Sequence, residues 1–97
     1  MLTKKDFIDR LAEKGYTKKD AALITDDVLN EISEILASGE SIRFHGFGTF
    51  EVKEMAEKRI RTPHGEVKIV DSYHIPRFYA GNGLKKMIRV INPVETE

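Results

Sequence analysis

The sequence holds no cysteine and no tryptophan, so disulfides and thiolate chemistry are excluded. That fits a reducing compartment. Long apolar runs are missing too. No stretch approaches the length that spans a bilayer, and Met1-Leu2-Thr3-Lys4-Lys5-Asp6 lacks the apolar core of a secretory signal. The expected location is the cytoplasm. Net charge of one sign is also absent: 16 basic residues face 16 acidic ones, which argues against a simple polycation that coats nucleic acid. His45, His64 and His74 are scattered and lack metal-ligand spacing. No serine or threonine lies in a nucleophile-elbow context, and Gly81-x-Gly83 is too short for a phosphate loop. The expectation is a protein that is not an enzyme and has no metal, no cofactor and no small-molecule substrate.

What is present is a chain of 97 residues, 40% hydrophobic and without a low-complexity tract. It should fold as one domain with a modest core, and it is small enough for an obligate dimer. Its charge is unevenly placed. Residues 1–39 carry six basic and eight acidic groups, net −2; residues 40–89 carry ten and six, net +4; residues 90–97 add −2. Positive charge therefore collects in the middle of the chain and after it.

Helical spacing of Phe7, Ile8, Leu11 and Ala12 after Thr3 predicts an amphipathic helix over about 3–14, stopped by Gly15-Tyr16. Thr17, with Asp20 three residues later, opens a second helix to about Ser38. Its stripe of Ala22, Leu23, Val28, Leu29, Ile32, Ile35 and Leu36 is wide. It fits an ordinary helix buried under a sheet, or one that partly faces a second subunit. Glu40–His45 predicts a strand, with Ile42 and Phe44 on one face, and Gly46-Phe47-Gly48 a tight reversal.

Residues 46–69 are the stretch around which the chain is organised. Thr49 to about Arg61 is expected as one outgoing strand, with Phe50 and Val52 on one face and Lys53, Arg59 and Arg61 on the other. Thr62-Pro63-His64-Gly65 fits a type I turn, and Glu66 to Val70 runs back. Few apolar residues remain beyond Val52 to bury either face, so a ribbon leaves the globule. An isolated ribbon is marginal in water, and its basic residues suggest a polyanionic partner. Asp71-Ser72 breaks the pattern, and His74–Tyr79 is extended, with Pro76 pointing to an edge and Phe78 to a core. A loop Gly81-Asn82-Gly83, a helix Leu84–Val90 carrying Lys85, Lys86 and Arg89, and a loose tail over 92–97 complete the order α-α-β-β-β-α.

Lys53, Lys58, Arg59, Arg61 and Lys68 along the ribbon are interspersed with Glu54, Glu57 and Glu66, as in a plain solvated hairpin. Pro63 is an ordinary turn former on that reading. A rigid apolar ring at the tip of a basic ribbon has a second use, compatible with the first. It can enter the minor groove and partly unstack a base step while the cations hold phosphates.

Gly46-Phe47-Gly48-Thr49-Phe50-Glu51-Val52 resembles the GFGxFxV signature of the bacterial histone-like HU and integration host factor family, and Arg61-Thr62-Pro63 resembles that family's RNP at the arm tip. Thr17-Lys18-Lys19-Asp20-Ala21 and Pro76-x-Phe78 match further family features in order and spacing, so the likeness covers about residues 3–90. That family is itself a type example of minor-groove architectural binding, so this mechanism comes with the resemblance. The resemblance implies an α+β fold in an intertwined dimer: two N-terminal helices, a three-stranded sheet with an extended β-ribbon arm, and a short C-terminal helix. One domain would span 1–91, its arm about 53–70. The function implied is to bind, bend and condense double-stranded DNA on the nucleoid, with little base readout.

By the same resemblance Pro63 intercalates, and Lys53, Lys58, Arg59, Arg61, Thr62, His64 and Lys68 contact DNA from the arm. Lys85 and Lys86 contact it from the body, with Lys4 a weaker candidate. Leu29, Ile32, Leu36, Phe44, Phe47, Phe50 and Phe78 form the dimer core. The partner implied is a second copy, with a heterodimer as the alternative, and no membrane. The tip, His64-Gly65, is one residue shorter than the family's, Met55, Tyr79 and Asn82 stand where basic residues are common, and Ala80 replaces a usual proline. Fewer neutralised phosphates predict weaker or more structure-selective binding. The zero net charge leaves two other readings: an assembly module with weakened DNA binding, or a binder of structured RNA.

Overall fold

The computed structural model describes residues 1–91; the tail expected over 92–97 lies outside the described residues. Its first unit, residues 1–35, is helical, and its second, from residue 36 on, carries the strands and the last helix.

Helix α1 runs Lys4–Ala12, two residues shorter at its end than its apolar spacing predicts. Thr3 and Asp6 cap it reciprocally: the Asp6 N–H donates to Thr3 Oγ1, and the Thr3 N–H donates to the Asp6 carboxylate at 2.9 Å. These bonds from Thr3, the backbone one first, hold the Asp6 carboxyl below its ordinary value. The cap's contribution is therefore present at neutral pH and is lost as pH falls through the acid range. Helix α2, Lys18–Ala37, begins as expected, with the Asp20 N–H donating to Thr17 Oγ1 at 3.1 Å. Thr25 is buried in it, its hydroxyl satisfied by the Ala21 carbonyl one turn back. Between α1 and α2 lies an apolar groove of about 330 Å3, lined by Phe7, Leu11, Ile24, Val28 and Leu29 among others.

The second unit has five strands: β1 Ile42–Phe44, β2 Gly48–Met55, β3 Lys58–Arg61, β4 Val67–Val70 and β5 Tyr73–Ala80. They form an antiparallel sheet in the order β1-β2-β5 and a separate ribbon, β3-β4. The single outgoing strand expected over 49–61 is thus broken at Ala56-Glu57. Up to Met55 the chain pairs with β5, Met55 lying opposite Tyr73; from Lys58 it pairs with β4. Lys53 therefore belongs to the sheet, and its expected alternation with Arg59 and Arg61 does not carry across the break. Pro76 sits on an edge strand, opposite Val52, where its missing N–H does least harm.

The reversal after β1 is closed by the Phe47 N–H on the Phe44 carbonyl, with Gly46 at φ +82° as its third residue. One face of the sheet is aromatic. Phe50 lies 4.7 Å from Phe78 and 6.3 Å edge-on from Phe44, and Phe47 is 5.6 Å from Phe78. Gly48 makes room for this: a Cβ there would come within 2.6 Å of the Phe78 ring. Yet the face is open in the single chain, with Phe78 42% and Phe47 49% exposed. Among the described residues only Ala21, Thr25 and Gly48 are buried.

Helix α3 spans Asn82–Arg89, so Asn82 and Gly83 belong to the helix and not to the predicted loop. The reason is close approach. The Gly81 N–H donates to the Phe47 carbonyl and the Leu84 N–H to the Gly46 carbonyl. A Cβ on Gly81 or Gly83 would stand 2.8 Å from the Gly46 oxygen. Gly81→Ala is therefore expected to lower stability by about 1–3 kcal/mol, as overpacking against backbone does. A urea midpoint equal to wild type would refute this packing account. No helix among the described residues is long and apolar enough to cross a membrane.

Candidate nucleic-acid interface

The ribbon ends in a turn that the residues themselves dictate. Pro63 sits second in the turn, where its ring pre-sets φ. The Gly65 N–H closes the turn on the Thr62 carbonyl at 2.9 Å, and Gly65 at φ +86° lets the chain rejoin β4. The pair Thr62–Glu66 continues the ladder: the Thr62 N–H donates to the Glu66 carbonyl at 2.8 Å, and the Glu66 N–H donates to Thr62 Oγ1 at 3.2 Å. This is a three-residue hairpin of type I turn plus left-handed residue. It leaves Pro63 and His64 exposed at the apex and Thr62 half-buried.

Below the apex the register pairs Arg61 with Val67, Ile60 with Lys68, Arg59 with Ile69 and Lys58 with Val70. Directly opposed residues share a face. Arg59 and Arg61 thus stand together, while Lys58 and Lys68 stand on the reverse. All four are exposed. The structure brings these four, with Thr62, Pro63 and His64, onto one projecting element.

The other expected contacts are distributed. Lys53 lies on β2 opposite Ile75, on the sheet face away from the phenylalanines. Register puts Arg43, Thr49, Glu51, Arg77 and Tyr79 on that same face. The Arg43 side chain reaches Thr49 Oγ1 at 3.4 Å. Arg43, Arg77 and Tyr79 are not among the contacts expected from the sequence. Strand parity could have found them, since 77 and 79 alternate with the core residue Phe78. On α3, Lys85, Lys86 and Arg89 project from one side, and Leu84, Met87 and Ile88 from the other. Lys4, in the helical unit, pairs with Asp26 across α1 and α2, both side chains about half exposed. Such a surface pair contributes little to stability, about 1 kcal/mol at most, but it occupies the lysine. Among the described residues no group of three His, Asp or Glu side chains could hold a metal ion.

The arrangement is that of a positively charged, two-stranded projection with an apolar ring at its tip. It presents no convergent acid, base or nucleophile. It suits a linear polyanion with a groove narrow enough to hold a ribbon.

Comparisons with known proteins point the same way. The family model for bacterial DNA-binding proteins matches residues 2–89. The chain is 42% identical over 89 residues to the DNA-binding protein HU of Campylobacter jejuni, covering 90% of this chain and 91% of that protein. It is 40% identical over 90 residues to the HU of Thermotoga maritima, covering 91% and 100%. Among solved structures, an Anabaena HU–DNA cocrystal superposes with a TM-score of 0.81 at 30% identity, covering 90% of this chain and 97% of that one. Thermotoga maritima HU superposes at 0.66 with 36% identity, covering 90% and 98%.

Proposed function

Because the chain belongs to the bacterial DNA-binding protein family, we propose that it works as a dimeric architectural protein of the nucleoid, binding and bending duplex DNA with little readout of base edges. The observation that carries this reading is the ribbon of residues 58–70, which bears four exposed cations and an exposed proline at its apex. Phosphate contacts position the duplex. Arg59, Arg61, Lys58 and Lys68 supply them from the arm, Lys53 from the sheet, and Lys85 and Lys86 from α3. Thr62 and His64 contact the backbone beside the tip. Pro63 wedges into a base step and kinks it, and flexible steps are the easiest to deform.

The dimer rests on what a single chain leaves open. A lone chain does not hold Phe44, Phe47, Phe78 and Leu29 each 40–50% exposed beside so few buried residues. Covering the exposed apolar side chains of each unit with those of a second copy completes the core, with Ile32, Leu36 and Phe50 in it.

The test is a fluorescence-anisotropy titration of full-length protein with a labelled nicked duplex, an intact duplex and matched RNA at two salt concentrations. Salt-sensitive binding that favours the nicked DNA supports the reading; no retention of any duplex at low salt removes it. Lys85→Ala with Lys86→Ala is expected to flatten the plot of log K against log salt by about two to four, since each lost phosphate contact lowers the slope by about 0.9 and the dimer carries each lysine twice. An unchanged slope would take α3 out of the interface.

A further inference from the structure

The outer face of the sheet, opposite the phenylalanines, carries aromatic rings that the core does not use. Parity and register place Tyr73, Ile75, Arg77 and Tyr79 of β5 on it. Arg43, Lys53 and Arg77 against Glu51 give the same face a net charge of +2. Tyr73 is 45% and Tyr79 47% exposed. Ring contacts among the described residues join only phenylalanines of the other face. That other face is the one a second copy covers in the proposed dimer, so the tyrosines stay open to solvent.

We propose that this face is a base-stacking site for unpaired nucleotides of single-stranded DNA, with Tyr73 and Tyr79 as its platforms. Exposed rings set among cations match a strand that offers a π-face on every base and a charge on every phosphate. Spacing selects an unpaired strand. Same-face positions of β5 recur about every 6.8 Å, about twice the roughly 3.4 Å rise per nucleotide of a stacked strand. Neighbouring bases therefore reach neighbouring positions only in a strand drawn out of its stack. A duplex keeps its base faces covered by one another and offers the rings nothing to lie on. Arg77, between the tyrosines, adds a planar guanidinium that also stacks. The assignment to DNA rests on the proposed duplex contact. Lys53 belongs to both sites, so a strand opened from the bound duplex lies beside the rings.

The experiment titrates full-length protein with a short oligo-dT and with an abasic strand of equal length, which keeps the phosphates and lacks the bases. The chain has three tyrosines and no tryptophan, so its intrinsic fluorescence reports the two rings directly, with Tyr16 in the helical unit as the bystander. Oligo-dT is expected to bind at least about tenfold tighter than the abasic strand and to quench the fluorescence. Tyr73→Ala and Tyr79→Ala should each lower oligo-dT affinity about fivefold or more, and leave the abasic strand within about twofold. Tyr79→Phe should keep the preference. Tyr79→Lys, which adds a cation and removes the ring, should tighten the abasic strand and weaken oligo-dT. The double alanine variant should still bind the nicked duplex, since the arm and α3 cations are intact.

Equal affinity for oligo-dT and the abasic strand, with the nicked duplex still bound, overturns the inference and leaves the DNA-bending reading standing. So does a preference that survives the double alanine replacement, or one that Tyr79→Phe abolishes. Tighter binding of oligo-U than of oligo-dT overturns the assignment to DNA. Absence of salt-sensitive binding to the nicked duplex, with quenching by oligo-dT retained, removes the bending reading and keeps the stacking site.

Discussion

Pro63→Ala is expected to reduce affinity for a nicked duplex by about tenfold per arm, and by on the order of a hundredfold for a dimer with two arms, while the arm itself stays formed. The substitution removes two ring carbons, worth about 0.8 kcal/mol each when buried, from the element proposed to pry open a base step. It does not remove the turn. Gly65 still donates to the Thr62 carbonyl, and Thr62 still pairs with Glu66, because alanine adopts the second position of a type I turn without strain. The loss should be larger on bent or nicked DNA than on straight duplex, since only there is the wedge seated. A fluorescence energy-transfer measurement between the duplex ends separates the two roles. Lower transfer in the alanine variant at saturating protein shows that the ring drives the kink. Pro63→Leu, which keeps an apolar side chain at the apex, should recover part of it. Equal affinity and equal end-to-end distance for wild type and Pro63→Ala would sink the wedge, leaving a clamp held by phosphates alone.

Much of this architecture is legible in local chemistry. Thr3 and Thr17 announce both helix starts because capping is a contact between residues three apart. The Thr62–Gly65 turn and the edge position of Pro76 follow from what a proline ring and a glycine permit. What escapes a linear reading depends on pairing. Nothing in Ala56-Glu57 marks a strand break; the break arises because β2 and β3 have different partners, β5 and β4. With it goes the alternation that would have put Lys53 beside Arg59 and Arg61, so the two-faced arm emerges only from the register. Gly81 and Gly83 look like loop residues because glycine weakens helices. Their need is tertiary: the Gly46 carbonyl lies where their Cβ atoms would be. The contact candidates Arg43, Arg77 and Tyr79 are hidden in the same way, on strands better marked by Phe50 and Phe78 than by their polar face. The dimer came from the family likeness, and its physical motive is the exposure of the phenylalanine face.

That exposure leads to the largest expected effect on stability. Phe78 joins the cluster on both sides, 4.7 Å from Phe50 and 5.6 Å from Phe47, with its ring over Gly48. In the proposed dimer its open side is covered by the second copy, so Phe78→Ala removes contacts within the chain and across the interface. A core phenylalanine truncated to alanine costs about 3–5 kcal/mol, and the dimer holds the residue twice. The sum is comparable to the whole stability of a small domain, about 5–15 kcal/mol. The variant is therefore expected to be unfolded or monomeric at micromolar concentration. The measurement is circular-dichroism melting across a hundredfold range of protein concentration. Wild type should melt at a higher temperature as concentration rises, because folding and association are one equilibrium. Phe78→Ala should show no cooperative transition, and Phe78→Leu, closer in volume, should restore one at lower temperature. A wild-type melting temperature independent of concentration, with a well-folded Phe78→Ala monomer, would refute the shared core, since the exposed phenylalanines would then be stable in water without a partner.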